Sequence, residues 1–182
     1  LTDQAVVGVN TGNWYDWQIG GPQNLIEAML IMADDLTPAQ CKNYLIIPDT
    51  LVPTPRGTSS NRTNFALNCI GAAVLQKDAE RLIHARDAVN STFLYVNQNT
   101  LDGSDLEETD GMYRDGSFLM HYRVPYHGGY GVTNYARTGL LLAILQDTAF
   151  EVTNPSTDNL IEFLFTGMDS MMYNGNMLDM VR

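Results

Sequence analysis

"SSNRTNFALNCIGAAVLQ", Ser59 to Gln76, decides what kind of fold this chain has. Phe65, Ala66, Cys69, Ile70, Ala73 and Val74 recur at the spacing of one helix face. The stretch follows "PDTLVPTPRGTSS", which carries three prolines and no hydrophobic period, so it reads as a loop feeding a helix that starts at Ser59 or Ser60.

Upstream, Pro22 stands behind Gly20-Gly21 where a helix would start, and Leu25, Ile26, Met29, Leu30, Met32 and Ala33 repeat at helical spacing. Thr37-Pro38-Ala39-Gln40 is a strong start signal: a Thr cap, Pro at the first position and Gln three residues on. The helix it opens carries Cys41, Tyr44 and Leu45 and is predicted to end before Pro48, because proline disfavours helix in the residue ahead of it. Downstream, one helix is predicted from Asp78, another from Val132 and a last one from about Ser156 through Met168. That makes six helices and no convincing sheet. Helices with one apolar face each must pack on neighbours, and hairpins in a layer or ring fit best, with sites in the loops at one end. No fixed repeat supports a solenoid.

With 182 residues the chain has about one domain's length, and 45% hydrophobic residues suffice for a sizeable core. No apolar run approaches the roughly 18 residues that span a membrane, so no membrane partner is expected. A net charge of −11 argues against nucleic acid, whose binders present a basic face. The charge is unevenly spread. No acid occurs between Asp49 and Asp78 or between Asp115 and Asp147, whereas "DGSDLEETD", Asp102 to Asp110, holds five. The acid-free windows favour an anionic ligand, with chance gaps among ten scattered basic residues as the competing explanation. Cys41 and Cys69 are too few for a disulfide framework, and two buried thiols are expected. Asn61-Arg-Thr and Asn90-Ser-Thr match the glycosylation pattern, a weak signal.

Three stretches carry concentrated chemistry. "GNWYDWQIGGP" places both tryptophans, Trp14 and Trp17, within one turn, which suits stacking on sugar rings and equally suits core packing at i, i+3. "RGTSSNRTN" puts Asn61 and Arg62 at a helix start, where amide donors and the helix dipole favour an anion; a plain N-cap is the competing explanation. "DGSFLMHYRVPYHGGYG", Asp115 to Gly131, breaks the helical pattern as loop or short strand. In it His121 offers an acid, a base or a donor, and Tyr130 a base if cations lower its pKa. A lone His or Tyr in a loop is usually structural, so neither is diagnostic by itself. There is no nucleophile elbow, no P-loop and no helical zinc pair, and the acidic loop does not match a calcium loop. Asp16, Asp110 and Asp115 could serve a glycoside hydrolase, but nothing in the spacing selects a pair.

Taken in order, "NWYDWQIGGP", "SSNRT", "DGMYRDGSFLMHYRVPYHGGYG" and "GNMLDMVR" make the chain resemble the family 8 polysaccharide lyases, over nearly its whole length. The resemblance implies an all-α fold, part of an incomplete α/α toroid of helical hairpins. It implies that residues 1–182 are a single segment, the C-terminal portion of that toroid, with the β-sandwich domains and an arginine-rich motif lying beyond Arg182 in the parent enzyme. It implies β-elimination at a uronic acid in an acidic polysaccharide, with no cofactor or metal, and a secreted enzyme. Carried over by motif, Asn61 would bind the uronate carboxylate, His121 would assist it or accept the proton, and Tyr130 would be base and then acid. Trp14 and Tyr15 would belong to an aromatic patch for the sugar chain, with Arg62, Arg123 and His127 as further substrate contacts. The chain departs from the family pattern at Tyr15, where a second Trp is common, and at Arg123, Pro125 and His127, which bear on substrate choice. A hydrolase on a similar toroid and a non-catalytic sugar-binding fragment are the alternatives.

Overall fold

The computed structural model describes residues 12–96 and 109–178. The chain divides into two compact units, Leu1–Arg56 with Asn64–Ala88, and Gly57–Thr63 with Val89–Arg182.

In the first unit the helices follow the hydrophobic period. Helix α1 (Gly21–Ile31) has Pro22 in its first turn and extends a π-helical turn, Asp16–Gly20. The Asn68 side chain fastens that turn by donating to the Ile19 carbonyl, 3.1 Å. Helix α2 (Pro38–Leu51) opens on a full capping box: the Gln40 N–H donates to Thr37 Oγ1 at 3.3 Å, and the Thr37 N–H to Gln40 Oε1 at 3.0 Å. It does not end before Pro48 but continues to Leu51, with Pro48 buried inside it. Pro48 falls in the last turn, so its missing N–H removes one ladder bond and little helix remains to be disrupted. The Val52 N–H still closes on the Pro48 carbonyl at 2.7 Å. Helix α3 (Ser59–Gln76) begins where expected, and α4 (Ala79–Ala88) follows, its Arg81 N–H capped by the Asp78 carboxylate at 2.9 Å. Ile26, Met29, Leu45 and Ala72 form the unit's core, with Leu25, Leu36, Cys41 and Leu75 packed against it. Cys41 and Cys69 are free thiols, and burial raises the Cys69 pKa.

The second unit holds the first turn of α3, then α5 (Val132–Leu145) and α6 (Asp158–Phe163), but it also contains the sheets that the periodicity did not reveal. Strands β1 (Gly111–Met112), β2 (Phe118–Met120) and β3 (Val124–Pro125) form an antiparallel sheet; β4 (Met172–Tyr173) and β5 (Asn176–Met177) form a hairpin. Two- and three-residue strands are too short for alternation to register. Phe163 centres this unit's core, its ring 6.3 Å from those of Phe118, His127 and Tyr135 and 6.4 Å from Tyr95. The acid-rich stretch lies outside the described residues apart from Thr109 and Asp110.

Candidate functional site

Strand β2 turns into β3 through His121, Tyr122 and Arg123, with Met120 opposite Val124. All three turn residues have positive φ, 49°, 68° and 121°, and none is glycine. Side chains with a Cβ disfavour this region, at a cost of order 1–3 kcal/mol each where it is enforced. The conformation therefore has to be imposed by the surroundings. It leaves His121 exposed at the hairpin tip.

The chain then returns through Tyr126 into a π-helical turn, His127–Gly131, that runs directly into α5. Tyr130 thus lies on a helical lead-in and not in an open loop. The Tyr126 N–H donates to the Phe118 carbonyl and its own carbonyl accepts from the Gly131 N–H, both at 2.9 Å, so one residue locks the turn to the hairpin. The outcome is a three-ring cluster. His121 and Tyr130 have centroids 5.0 Å apart at 85°, Tyr126 and Tyr130 4.9 Å apart at 90°, and His121 and Tyr126 6.1 Å apart at 70°. Edge-to-face contacts of this kind fix ring orientation. The nine-residue separation of His121 and Tyr130 is closed by a hairpin followed by a turn.

Asn61 sits half-buried in the first turn of α3, its N–H donating to the Thr58 carbonyl at 3.1 Å. Asn61, His121 and Tyr130 all belong to the second unit. Arg62, expected to contact substrate, clamps its own loop: Nε donates to the Gly57 carbonyl at 2.7 Å and a terminal nitrogen to Ser91 Oγ at 2.8 Å. His127, likewise expected at the substrate, is only 2% exposed. Its ring stacks on Phe163 at 11°, and its Nε2 lies 3.0 Å from the Phe118 nitrogen and 2.9 Å from the Gly116 carbonyl oxygen. That histidine is a core residue, because the aromatic cluster around Phe163 covers it. Arg123 is exposed at the end of the hairpin turn. Its charge opposes burial and Asp110, which push the buried Tyr113 hydroxyl up.

In the first unit Trp14 and Tyr15 are 40% and 39% exposed, in edge contact at 6.2 Å, and so available to a flat ligand. Trp17 is half-buried and lines an apolar cavity of about 190 Å³ with Pro22, Leu25, Ile47, Pro48 and Leu51. Trp14 is thus exposed while Trp17 packs against the helices of its unit.

Two residues of the second unit were not singled out by spacing. Tyr126 stands four residues before Tyr130, a signal readable only once the glycine-rich segment is treated as helical. Asp110 ends the acidic stretch and was distinguishable only as one carboxylate among several. It accepts from Thr58 Oγ1 through Oδ2 at 2.7 Å. Burial raises its pKa, against the lowering effects of the Thr58 bond, the His121 charge and the Tyr122 and His121 backbone N–H groups. Asp115 behaves oppositely. The Ser117 hydroxyl at 2.6 Å and N–H at 2.9 Å hold its pKa down, which suits a turn-former and not a general acid.

Residues 2–182 match the family model for polysaccharide lyase family 8, N-terminal alpha-helical domain. The chain belongs to this family. It is 33% identical over 181 residues to polysaccharide lyase 8 family protein HylA of Enterococcus faecalis, covering 94% of this chain and 12% of that one. Among solved structures, Paenibacillus xanthan lyase matches at TM-score 0.83 and 31% identity, over 98% of this chain and 16% of that one. Streptomyces coelicolor A3 chondroitin AC lyase in complex with chondroitin sulphate matches at TM-score 0.85 and 28% identity, over 96% and 23%. The all-α fold, part of an α/α toroid, follows from these likenesses. The chain spans less than a quarter of each of these relatives. Among the described residues no helix is long and apolar enough to cross a membrane.

Proposed function

We propose that this chain is the C-terminal portion of the helical catalytic domain of a secreted polysaccharide lyase, which cleaves a uronic-acid-containing polysaccharide by β-elimination. The observation that carries this reading is the His121–Tyr130 pair, 5.0 Å apart and edge to face, in the same unit as Asn61. The relatives named as hyaluronate and xanthan lyases and the neighbour named as chondroitin AC lyase support it. All three names specify acidic polymers.

The chemistry assigns each residue a task. The proton at C5 of a uronate is weakly acidic, and its removal builds enolate charge on the carboxylate. Asn61 donates its amide to that carboxylate and stabilises the charge as it grows. Tyr130 takes the C5 proton, the C4–O4 bond breaks as the C4–C5 double bond forms, and Tyr130 returns a proton to the departing oxygen. His121, beside the phenol, is the neighbour that favours the phenolate, the form of Tyr130 able to take the proton. Trp14 and Tyr15 offer exposed faces for sugar rings. The remainder of the parent enzyme completes the cleft.

The test is full-length enzyme with hyaluronan, chondroitin and xanthan, followed by the ultraviolet absorbance of the unsaturated uronate. Turnover on one of these polymers, reduced about 10²- to 10⁴-fold by Tyr130→Phe, is expected. Full activity in Tyr130→Phe, or products lacking a new double bond, would overturn it.

A further inference from the structure

The three left-handed residues that carry His121 need a partner that enforces their shape, and the mechanism above uses no such group. Asp110 stands where that partner is required. One carboxylate oxygen accepts from Thr58 Oγ1 at 2.7 Å, and the Thr58 carbonyl in turn accepts from the Asn61 N–H at 3.1 Å and the Arg62 N–H at 3.3 Å. The backbone N–H groups of His121 and Tyr122 act on the same carboxylate and favour its charged form. Its other oxygen, Oδ1, is buried with no hydrogen-bond partner among the described residues. A buried carboxylate oxygen left in this state is costly unless it serves something nearby. The N–H groups of the strained turn are donors that act on this carboxylate.

We propose that Asp110 is a positioning residue that ties the hairpin turn bearing His121 to the helix start bearing Asn61, so that the two side chains reach one uronate together. The proposal rests on the lyase reading of the site. A carboxylate is suited to the task because it only accepts, and every group converging on it here donates. An asparagine of the same size would turn an NH₂ towards N–H donors, and the turn would relax from positive φ. The other titratable groups close by, Tyr113 and Arg123, do not replace it: the Tyr113 hydroxyl donates to the Thr109 carbonyl at 2.7 Å, and Arg123 belongs to the turn being held.

The experiment compares Asp110→Asn, Thr58→Val and Thr58→Ser in the full-length enzyme, on whichever polymer the wild type cleaves, together with crystal structures of wild type and Asp110→Asn. Asp110→Asn is expected to lower kcat about 10- to 100-fold with KM within about twofold, since misplacement of a catalytic group acts on the transition state. Thr58→Val should give a smaller loss of the same kind, and Thr58→Ser, which keeps the hydroxyl, should restore it. In the Asp110→Asn structure residues 121–123 should leave the positive-φ region. An unchanged turn with kcat within about twofold of wild type would overturn the proposal, as would a loss confined to KM. If Asp110→Asn does not fold, the contrast between Thr58→Val and Thr58→Ser decides. If the wild type cleaves no uronate polymer, the lyase reading fails by itself, and the turn geometry in the two crystal structures still judges the role of Asp110.

Discussion

Helix α2 and the segment Asp110–Gly131 represent two ways of specifying backbone. In α2 every device is local: the Thr37–Gln40 capping box, Pro38 at the first position, and an apolar face ending in Leu45 and Pro48. In Asp110–Gly131 local turns depend on remote devices to hold them. Thr58 reaches Asp110 across 52 positions, Phe163 backs His127 and Phe118, and the left-handed turn has no glycine to favour it. Local devices make rigid, ordinary elements. Remote ones make the unusual geometry in which a histidine and two tyrosines meet.

This contrast can be broken by adding the same small group in each region. The largest effect is expected at Gly167 of the second unit, where a new Cβ would run into the Phe163 ring and stand 2.8 Å from the Gly116 carbonyl oxygen. Gly167→Ala should cost about 3 kcal/mol, the upper part of the overpacking range, because a backbone atom cannot step aside. Urea denaturation would measure it, and a loss below about 1 kcal/mol would mean that the Phe163 cluster is looser than its geometry implies. At Gly71 within α3 the added Cβ would meet Ile26 Cγ2 at 2.5 Å. There the gain in helix propensity offsets part of the clash, so Gly71→Ala should cost about 1.5 kcal/mol. Smallest is Thr37→Ala, which removes one side of the capping box and should cost about 1 kcal/mol by the same assay, without altering lyase turnover in the full-length enzyme. A Thr37→Ala variant that lost turnover would show that α2 is not the independent element described.

The same contrast governs what could be read in advance. Helices α1 to α5 were legible because their apolar faces repeat at helical spacing, and the Thr37 start was legible to the residue. Pro48 misled because the usual rule gives no weight to how close a proline lies to the helix end. The sheets escaped because strands as short as Gly111–Met112 exist only through their pairing with Phe118–Leu119. The burial of His127 was unreadable for a related reason: it depends on Phe163, far along the chain, and no local pattern distinguishes a histidine bound for the core from one at the surface. Asn61, His121 and Tyr130 were singled out by the resemblance to a family, since spacing left each with a bland explanation. Asp110 was one of three carboxylates named for a hydrolase, and nothing in the spacing pointed to Thr58 as its partner.

The turn at His121–Arg123 has a consequence for anyone who would move this ring cluster to another protein. Its shape is not encoded in its own three residues, all of which prefer other conformations. A peptide copied from Phe118 to Tyr130 would carry His121 and Tyr130 and lose their arrangement. What has to travel is the hairpin together with Thr58, Asp110 and the aromatic floor, so the smallest transferable unit is a piece of architecture and not a sequence motif.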